Sequence, residues 1–205
     1  DDLPCMDNDL IRRNKLTIHN KYGVHSTYFL CIELINSFKN IFNKKNTNKK
    51  IINYIKDKIN EINLEMLNGQ YLDLNYINIC LDKNILFKIN KLKTAPLFKL
   101  SFIIPYLVYL INYNLNIEEE LIESLENMGE YFGILYQMSD DYIDQIQDKK
   151  KKQFNLNFFI SLGEKNGLEQ YQNYKNKFIE ELKKQNIYNS YFKEIIELLD
   201  KRIYG

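Results

Sequence analysis

The sequence predicts an all-α fold, and three observations carry that expectation. Apolar residues recur at intervals of three and four over long stretches, which is helical spacing. Only seven Gly and three Pro occur in 205 residues, too few for a turn-rich sandwich or barrel. Hydrophobic residues make up 45% of the chain, enough to bury a real core, so one helical domain over residues 1–205 is expected.

Taken in order, the chain opens on an acidic segment, Asp1 to Asp9, in which Pro4 disfavours a straight helix. A bend there is expected to bring Asp7 back toward Asp1 and Asp2. From Val24 to Phe42, Phe29, Ile32, Leu34, Ile35, Phe38 and Ile41 follow broadly helical spacing. Asn43 to Lys50 is of low complexity and reads as a solvated connector. Beyond it Ile52, Ile55, Ile59, Ile62 and Met66 form one stripe, whose continuation meets the polar Gln70 and Asp73. A shorter helix is expected over Asp82 to Lys91, and a new one starting near Thr94 and Pro96, because Pro fits a first turn.

Glu118 to Gln147 is the most informative helix. Leu121, Leu125, Met128, Phe132, Leu135, Tyr142 and Ile146 make its apolar stripe, and Gly133, Gln137, Asp140, Asp141, Asp144 and Asp148 lie opposite. A solvated face normally mixes signs, yet Tyr131 to Ile146 holds neither Lys nor Arg. This helix is expected to be central to a bundle and to carry its carboxylates inward. Two amphipathic helices, Leu168 to Lys184 and Tyr191 to Tyr204, complete the reading.

Composition excludes several functions. Lys and Arg number 28 against 27 Asp and Glu, so no general polyanion-binding surface is indicated. Cys5, Cys31 and Cys80 share no metal-type spacing and are expected to be buried small hydrophobes. No apolar run is long enough to span a bilayer, the best being Leu100 to Leu110 with Pro105 inside it. Residue 1 lies in an acidic cluster, so no targeting segment is read. A soluble chain of the cytosol or of a plastid-type organelle is expected.

Asp140, Asp141 and Asp144 are spaced so that Asp140 and Asp144 stack on one face. Two carboxylates about 4 Å apart repel by roughly 4 kcal/mol at an effective dielectric near 20. Either one keeps its proton or a cation sits between them. Oxygen ligands without His or Cys favour Mg²⁺, which bridges to phosphates. The first cluster, Asp1, Asp2, Asp7 and Asp9, runs straight into Arg12, Arg13 and Lys15. Carboxylates for a metal beside guanidinium groups for phosphate suit a diphosphate substrate. Either cluster alone is more often a solvated face, and the two Arg alone could simply pair with Asp7 or Asp9.

DDLPCMDNDLIRRNKLTIHNKYG (Asp1 to Gly23) resembles the first aspartate-rich motif of the trans-isoprenyl diphosphate synthases of the short-chain farnesyl/geranylgeranyl type. GQYLDL (Gly69 to Leu74) is similar to that family's Gly-Gln-x-x-Asp stretch and KTAPLF (Lys93 to Phe98) to its Lys-Thr motif. GILYQMSDDYID (Gly133 to Asp144) is similar to its second aspartate-rich motif. The four occur in family order, and the likeness runs to about Asp148.

The resemblance implies an all-α bundle of the isoprenoid synthase type, with a central cavity between two aspartate-bearing helices. It implies head-to-tail condensation of isopentenyl diphosphate with an allylic diphosphate. Asp1, Asp2, Asp7, Asp140, Asp141 and Asp144 would hold about three Mg²⁺. Arg12, Lys93, Thr94 and Gln137 would contact the allylic substrate, with Lys93, Thr94 and Gln137 at the reacting end, and Arg13 would contact isopentenyl diphosphate. No nucleic acid partner is implied, and a homodimer or a heteromer with a related subunit is.

Departures from the family pattern bear on this. The helices that precede its first motif, with a Gly-Lys-x-x-Arg segment and a His, have no counterpart, so an N-terminally truncated chain is expected. After Asp144, Asn155, Asn157 and Phe158 stand where a Lys, Thr and Tyr would be expected, and Lys149 to Lys152 offer a substitute charge. The other reading is a non-catalytic subunit of the same fold that modulates a complete synthase. A terpene cyclase or head-to-head synthase fits less well, because Lys-Thr and Arg-Arg belong to chain elongation.

Overall fold

The computed structural model describes residues 2–41, 48–76, 82–151 and 156–205, with backbone alone over 146–151. A short hairpin, β1 (Ile11–Arg12) and β2 (Lys15–Leu16), leads into α1 (Ile18–Tyr22), α2 (Val24–Ile41) and α3 (Lys49–Asn75). The chain continues as α4 (Lys83–Tyr113), α5 (Glu119–Lys151), α6 (Phe158–Leu162), α7 (Glu164–Lys184) and α8 (Ser190–Tyr204). These elements fall into two compact units, Asp1–Lys56 and Asp57–Gly205.

In the first unit the acidic segment folds as turns rather than on a helix, as Pro4 leads one to expect. Arg13 and Asn14 both take positive φ, 51° and 61°, the left-handed pair that closes a two-residue hairpin loop. Ile11 is thereby set opposite Leu16 and Arg12 opposite Lys15. Gly23, at φ 88°, turns the chain between α1 and α2. Thr27 is the buried residue of α2, while Phe29 (70% exposed), Leu34, Ile32 and Ile41 stand in solvent. Cys5 and Cys31 are exposed too, which corrects their expected burial. Helical spacing forms α2, and within the first unit α1 packs against it while much of its apolar surface stays exposed among the described residues.

The second unit is built around α4 and α5. Ile59 and Ile62 are buried here, and Ile52 and Ile55 in the first unit, as the α3 stripe required, and both α3 and α5 pack very closely on α4. A Cβ on Gly69 would lie 2.3 Å from the Lys93 nitrogen, and one on Gly133 would lie 2.6 Å from the Ala95 Cα. Only glycine permits these approaches. Lys99 of α4 reaches Glu65 of α3 at 3.3 Å, and Lys58 of α3 reaches Glu126 of α5 at 2.7 Å, bracing α3 to both. Behind them α7 buries Tyr171, Phe178 and Leu182, and α8 buries Ile196, Leu199 and Ile203.

One element differs from expectation. No break separates Asp82–Lys91 from Thr94, because α4 runs unbroken through Pro96 and Pro105. An interior proline normally costs about 3 kcal/mol. Here tertiary packing overrides it: Ala95, Pro96, Leu100, Ile103 and Leu107 are all buried. By length and composition α4 is also apolar enough to cross a bilayer, contrary to the sequence reading. Its packing against α5 marks it as a core helix of the bundle.

Candidate active site

Three helices of the second unit bring the polar motif residues together. Thr94 of α4 donates its hydroxyl to Oε1 of Gln137 at 2.7 Å. Gln137 in turn donates its amide to Oδ1 of Asp141, again at 2.7 Å. Beside them Lys93 donates to Oδ2 of Asp73 on α3 at 2.7 Å. The Gln70 amide nitrogen, on the same helix as Asp73, is buried with no hydrogen-bond partner among the described residues.

The three carboxylates of the second cluster have separate surroundings. Asp141 is buried, and its Oδ2 accepts the backbone N–H of Phe158 at 2.8 Å. Asn157 donates to the Asp141 carbonyl at 2.7 Å while its own Oδ1 caps α6. Asp141 thus ties α5 to the start of α6. Asp144 is exposed. Asp140 is half-buried, and its Oδ1 accepts from Nη1 of Arg202 at 2.6 Å. Burial holds the Asp140 carboxyl above its usual range, Arg202 pulls it back, and the Asp144 charge adds to the rise.

Among the described residues no three His, Cys, Asp or Glu side chains converge as a ready-made metal site. The donor chemistry still fits a divalent cation. Asp140 and Asp144 are hard oxygen ligands one turn apart, and their mutual repulsion is relieved by a shared positive charge.

Between α4, α5, α7 and α8 lies an aromatic cavity of about 510 Å³ lined by Phe98, Phe102, Phe132, Phe178, Tyr191 and Phe192, among others. The polar motif residues do not line it, and Tyr136, 5.4 Å from Phe98 between ring centres, stands between it and Asp140. On α4 the lining residues Phe98, Phe102, Pro105 and Tyr106 share a face with Thr94, one turn earlier. On α5 Leu125 and Phe132 share a face with Tyr136 and Asp140. The geometry suits an amphiphile, polar at one end and hydrocarbon at the other.

In the first unit Arg12 pairs with Asp2 at 3.1 Å, not with Asp7 or Asp9. Asp7 and Arg13 are exposed, and Arg13 forms the hairpin turn. His19 is buried with Nε2 unpartnered among the described residues. Asp1, Cys80, Lys152 and Asn155 lie outside the described residues, as do the side chains of Asp148 and Lys149 to Lys151. Arg202, Tyr136 and Asn157 surround the second cluster without having been assigned to it from sequence. Arg202 reads in the sequence as an ordinary basic residue in the last turn of a helix.

A family model for Polyprenyl synthetase matches residues 1–156. The chain belongs to the polyprenyl synthetase family. It is 32% identical over 158 residues to the farnesyl diphosphate synthase of Buchnera aphidicola subsp. Acyrthosiphon pisum, a match covering 74% of this chain and 54% of that one. It is 31% identical over 149 residues to a chloroplastic geranylgeranyl pyrophosphate synthase of Capsicum annuum, covering 70% of this chain and 39% of the relative. The chain therefore spans about half the length of the curated family members it matches. A solved geranyltransferase from Helicobacter pylori 26695 superimposes on all of this chain and 68% of its own, with a TM-score of 0.78 and 26% identity. The same protein complexed with magnesium and isoprenyl diphosphate matches with a TM-score of 0.75 at 25% identity. The all-α isoprenoid synthase fold expected from the sequence is thereby established.

Proposed function

We propose that this chain carries a short-chain prenyltransferase site that condenses isopentenyl diphosphate with an allylic diphosphate, head to tail. The observation that carries the reading is the hydrogen-bonded cluster of Lys93, Thr94, Gln137 and the α5 aspartates on the same two helices that wall an aromatic cavity. Farnesyl and geranylgeranyl diphosphate synthases among the relatives support it.

In this reading the allylic C–O bond breaks and the pyrophosphate leaves with the electron pair. The isopentenyl double bond attacks the allyl cation to form the new C–C bond, and the proton then lost from that unit passes to pyrophosphate. Magnesium, about three ions, would offset the charge that grows on the leaving diphosphate. Asp140 and Asp144 would hold it from α5, Asp1, Asp2 and Asp7 are assigned to metal by the first motif, and a complex of one structural relative with magnesium supports the choice of ion. Asp141 is assigned a lesser part in holding metal, because its carboxylate already serves Gln137 and Phe158.

Lys93 and Thr94 would bind the allylic diphosphate from α4, Gln137 would orient Thr94, and the buried Gln70 amide offers one more donor. Arg12 is assigned to an allylic diphosphate and Arg13 to isopentenyl diphosphate. The aromatic cavity would keep water from the cation and take the hydrocarbon tail. A second copy of this chain is the partner inferred for the exposed apolar face of α2, because such a face is costly to leave in water. A cytosolic or plastid-type location is compatible with this chemistry.

Asp140→Ala is expected to abolish Mg²⁺-dependent binding of a non-reactive allylic diphosphate analogue in calorimetry. Unchanged affinity would remove the metal assignment.

A further inference from the structure

Arg202 belongs to none of the motifs that mark this family in the sequence, yet it makes a close contact to the second aspartate cluster. Its Nη1 lies 2.6 Å from Oδ1 of Asp140 and 3.2 Å from the Ser139 hydroxyl. Its guanidinium carbon sits 5.6 Å from the centre of the Tyr136 ring.

The placement is built by the helix that carries it. Ile196, Leu199 and Ile203 bury one stripe of α8. On one flank of that stripe Asp200 holds Lys175 at 3.1 Å and accepts from the Tyr171 hydroxyl at 3.0 Å, fixing α8 to α7. Arg202 lies on the other flank, the same side as Ile195 and Tyr191 of the aromatic cavity. Only Nη1 is engaged, so Nε and Nη2 have no protein partner among the described residues. A planar fork with free donors beside a carboxylate suited to metal is a phosphate ligand held in reserve.

We propose that Arg202 is a diphosphate-binding residue parked on Asp140 while the site is empty, and that a divalent cation displaces it. A metal ion and a guanidinium cannot share Oδ1 of Asp140 without repelling each other. Cation binding therefore releases the guanidinium at the moment the diphosphate arrives, and couples the C-terminal helix to the loading of the site. The proposal rests on the assignment of Asp140 to the metal.

The test compares the chain with Arg202→Gln, Arg202→Lys and Asp140→Asn in calorimetry, first with MgCl₂ alone and then with inorganic pyrophosphate at saturating Mg²⁺. An ion pair this exposed is weak, so Arg202→Gln is expected to tighten Mg²⁺ binding only about two- to five-fold. Pyrophosphate should bind that variant about ten-fold more weakly, since a charged hydrogen bond is lost. Arg202→Lys should keep the competition with Mg²⁺ and recover part of the pyrophosphate affinity. Unchanged Mg²⁺ affinity in Arg202→Gln overturns the parking, and unchanged pyrophosphate affinity overturns the binding role. If Asp140→Asn binds Mg²⁺ as the parent does, the metal assignment itself fails and the proposal falls with it.

Discussion

Phe158 donates its backbone N–H to Oδ2 of Asp141 at 2.8 Å, so the middle carboxylate of the second cluster is a structural tie. Its neighbour Asp140 points to Arg202 at 2.6 Å. Adjacent acids on one helix thus have separate work, because successive side chains diverge by about 100° around the axis.

Asp141→Ala should cost stability where Asp144→Ala does not. Truncation leaves the buried Phe158 N–H without its acceptor, a penalty of about 1–3 kcal/mol. Asp144 is exposed, and its replacement should change stability by no more than about 0.5 kcal/mol. Urea denaturation of both variants measures the difference; equal losses would mean that the α5–α6 tie contributes nothing.

Gly69→Ala should damage both fold and site. The added methyl would meet the backbone of Leu92 and Lys93 at 2.4 and 2.3 Å, and backbone cannot move aside as a side chain can. Overpacking of this kind costs about 1–3 kcal/mol. It should also push Lys93 and Thr94 away from Asp73 and Gln137. Thermal unfolding and pyrophosphate calorimetry should therefore worsen together, and a fall in the melting temperature with unchanged binding would detach Gly69 from the site.

Stability should decline in alkali partly through Tyr171. Burial, then the Asp200 carboxylate, raise the pKa of this phenol. The folded chain keeps the proton above pH ~10, where a tyrosine in the unfolded chain gives it up. The native state then binds more protons than the unfolded one, so stability falls as pH rises past that point, by at most about 1.4 kcal/mol per pH unit. Lys58 loses stability over the same range: burial lowers its pKa, but Glu126 and Glu61 outweigh that and raise it. The readout is therefore the difference between the parent and Tyr171→Phe in urea midpoints at pH 9 and 11. A slope identical in both would show that Tyr171 titrates as if exposed.

The sequence was informative where periodicity decides structure. The stripe from Ile52 to Ile62 and the basic-free face of α5 placed their helices correctly. The α3 stripe is buried as its spacing demanded, whereas of the α5 carboxylates expected to face inward Asp141 is buried, Asp140 half-buried and Asp144 exposed. It was misleading at Pro96 and at Cys5 and Cys31. Whether a proline breaks a helix, or a cysteine is covered, depends on what packs there from elsewhere in the chain. The α6 turn was missed because its start is fixed by Asn157 and Asp141, 16 residues apart. Arg202 stayed invisible for the same reason, lying 62 positions from Asp140. Local pattern carries no record of such partners.

The cavity makes a claim about substrate length. Phe132 lies 5.1 Å from Phe98 and 5.3 Å from Phe178 between ring centres, and removing any of these rings would risk the core. Ile195 is half-buried at the cavity wall on α8, where added bulk can enter the cavity without a core residue being lost. Ile195→Trp should therefore shorten the space for hydrocarbon and leave the polar cluster alone. A longer-tailed allylic diphosphate analogue should lose about ten-fold in affinity, the scale on which an apolar pocket discriminates size. A shorter-tailed analogue should be little affected, because the diphosphate contacts proposed for Lys93, Thr94 and Asp140 are untouched. Calorimetry with both analogues in Mg²⁺ gives the ratio. Equal losses would point to a general disturbance of α8, and no loss in either would place the tail on another face of α4 and α5.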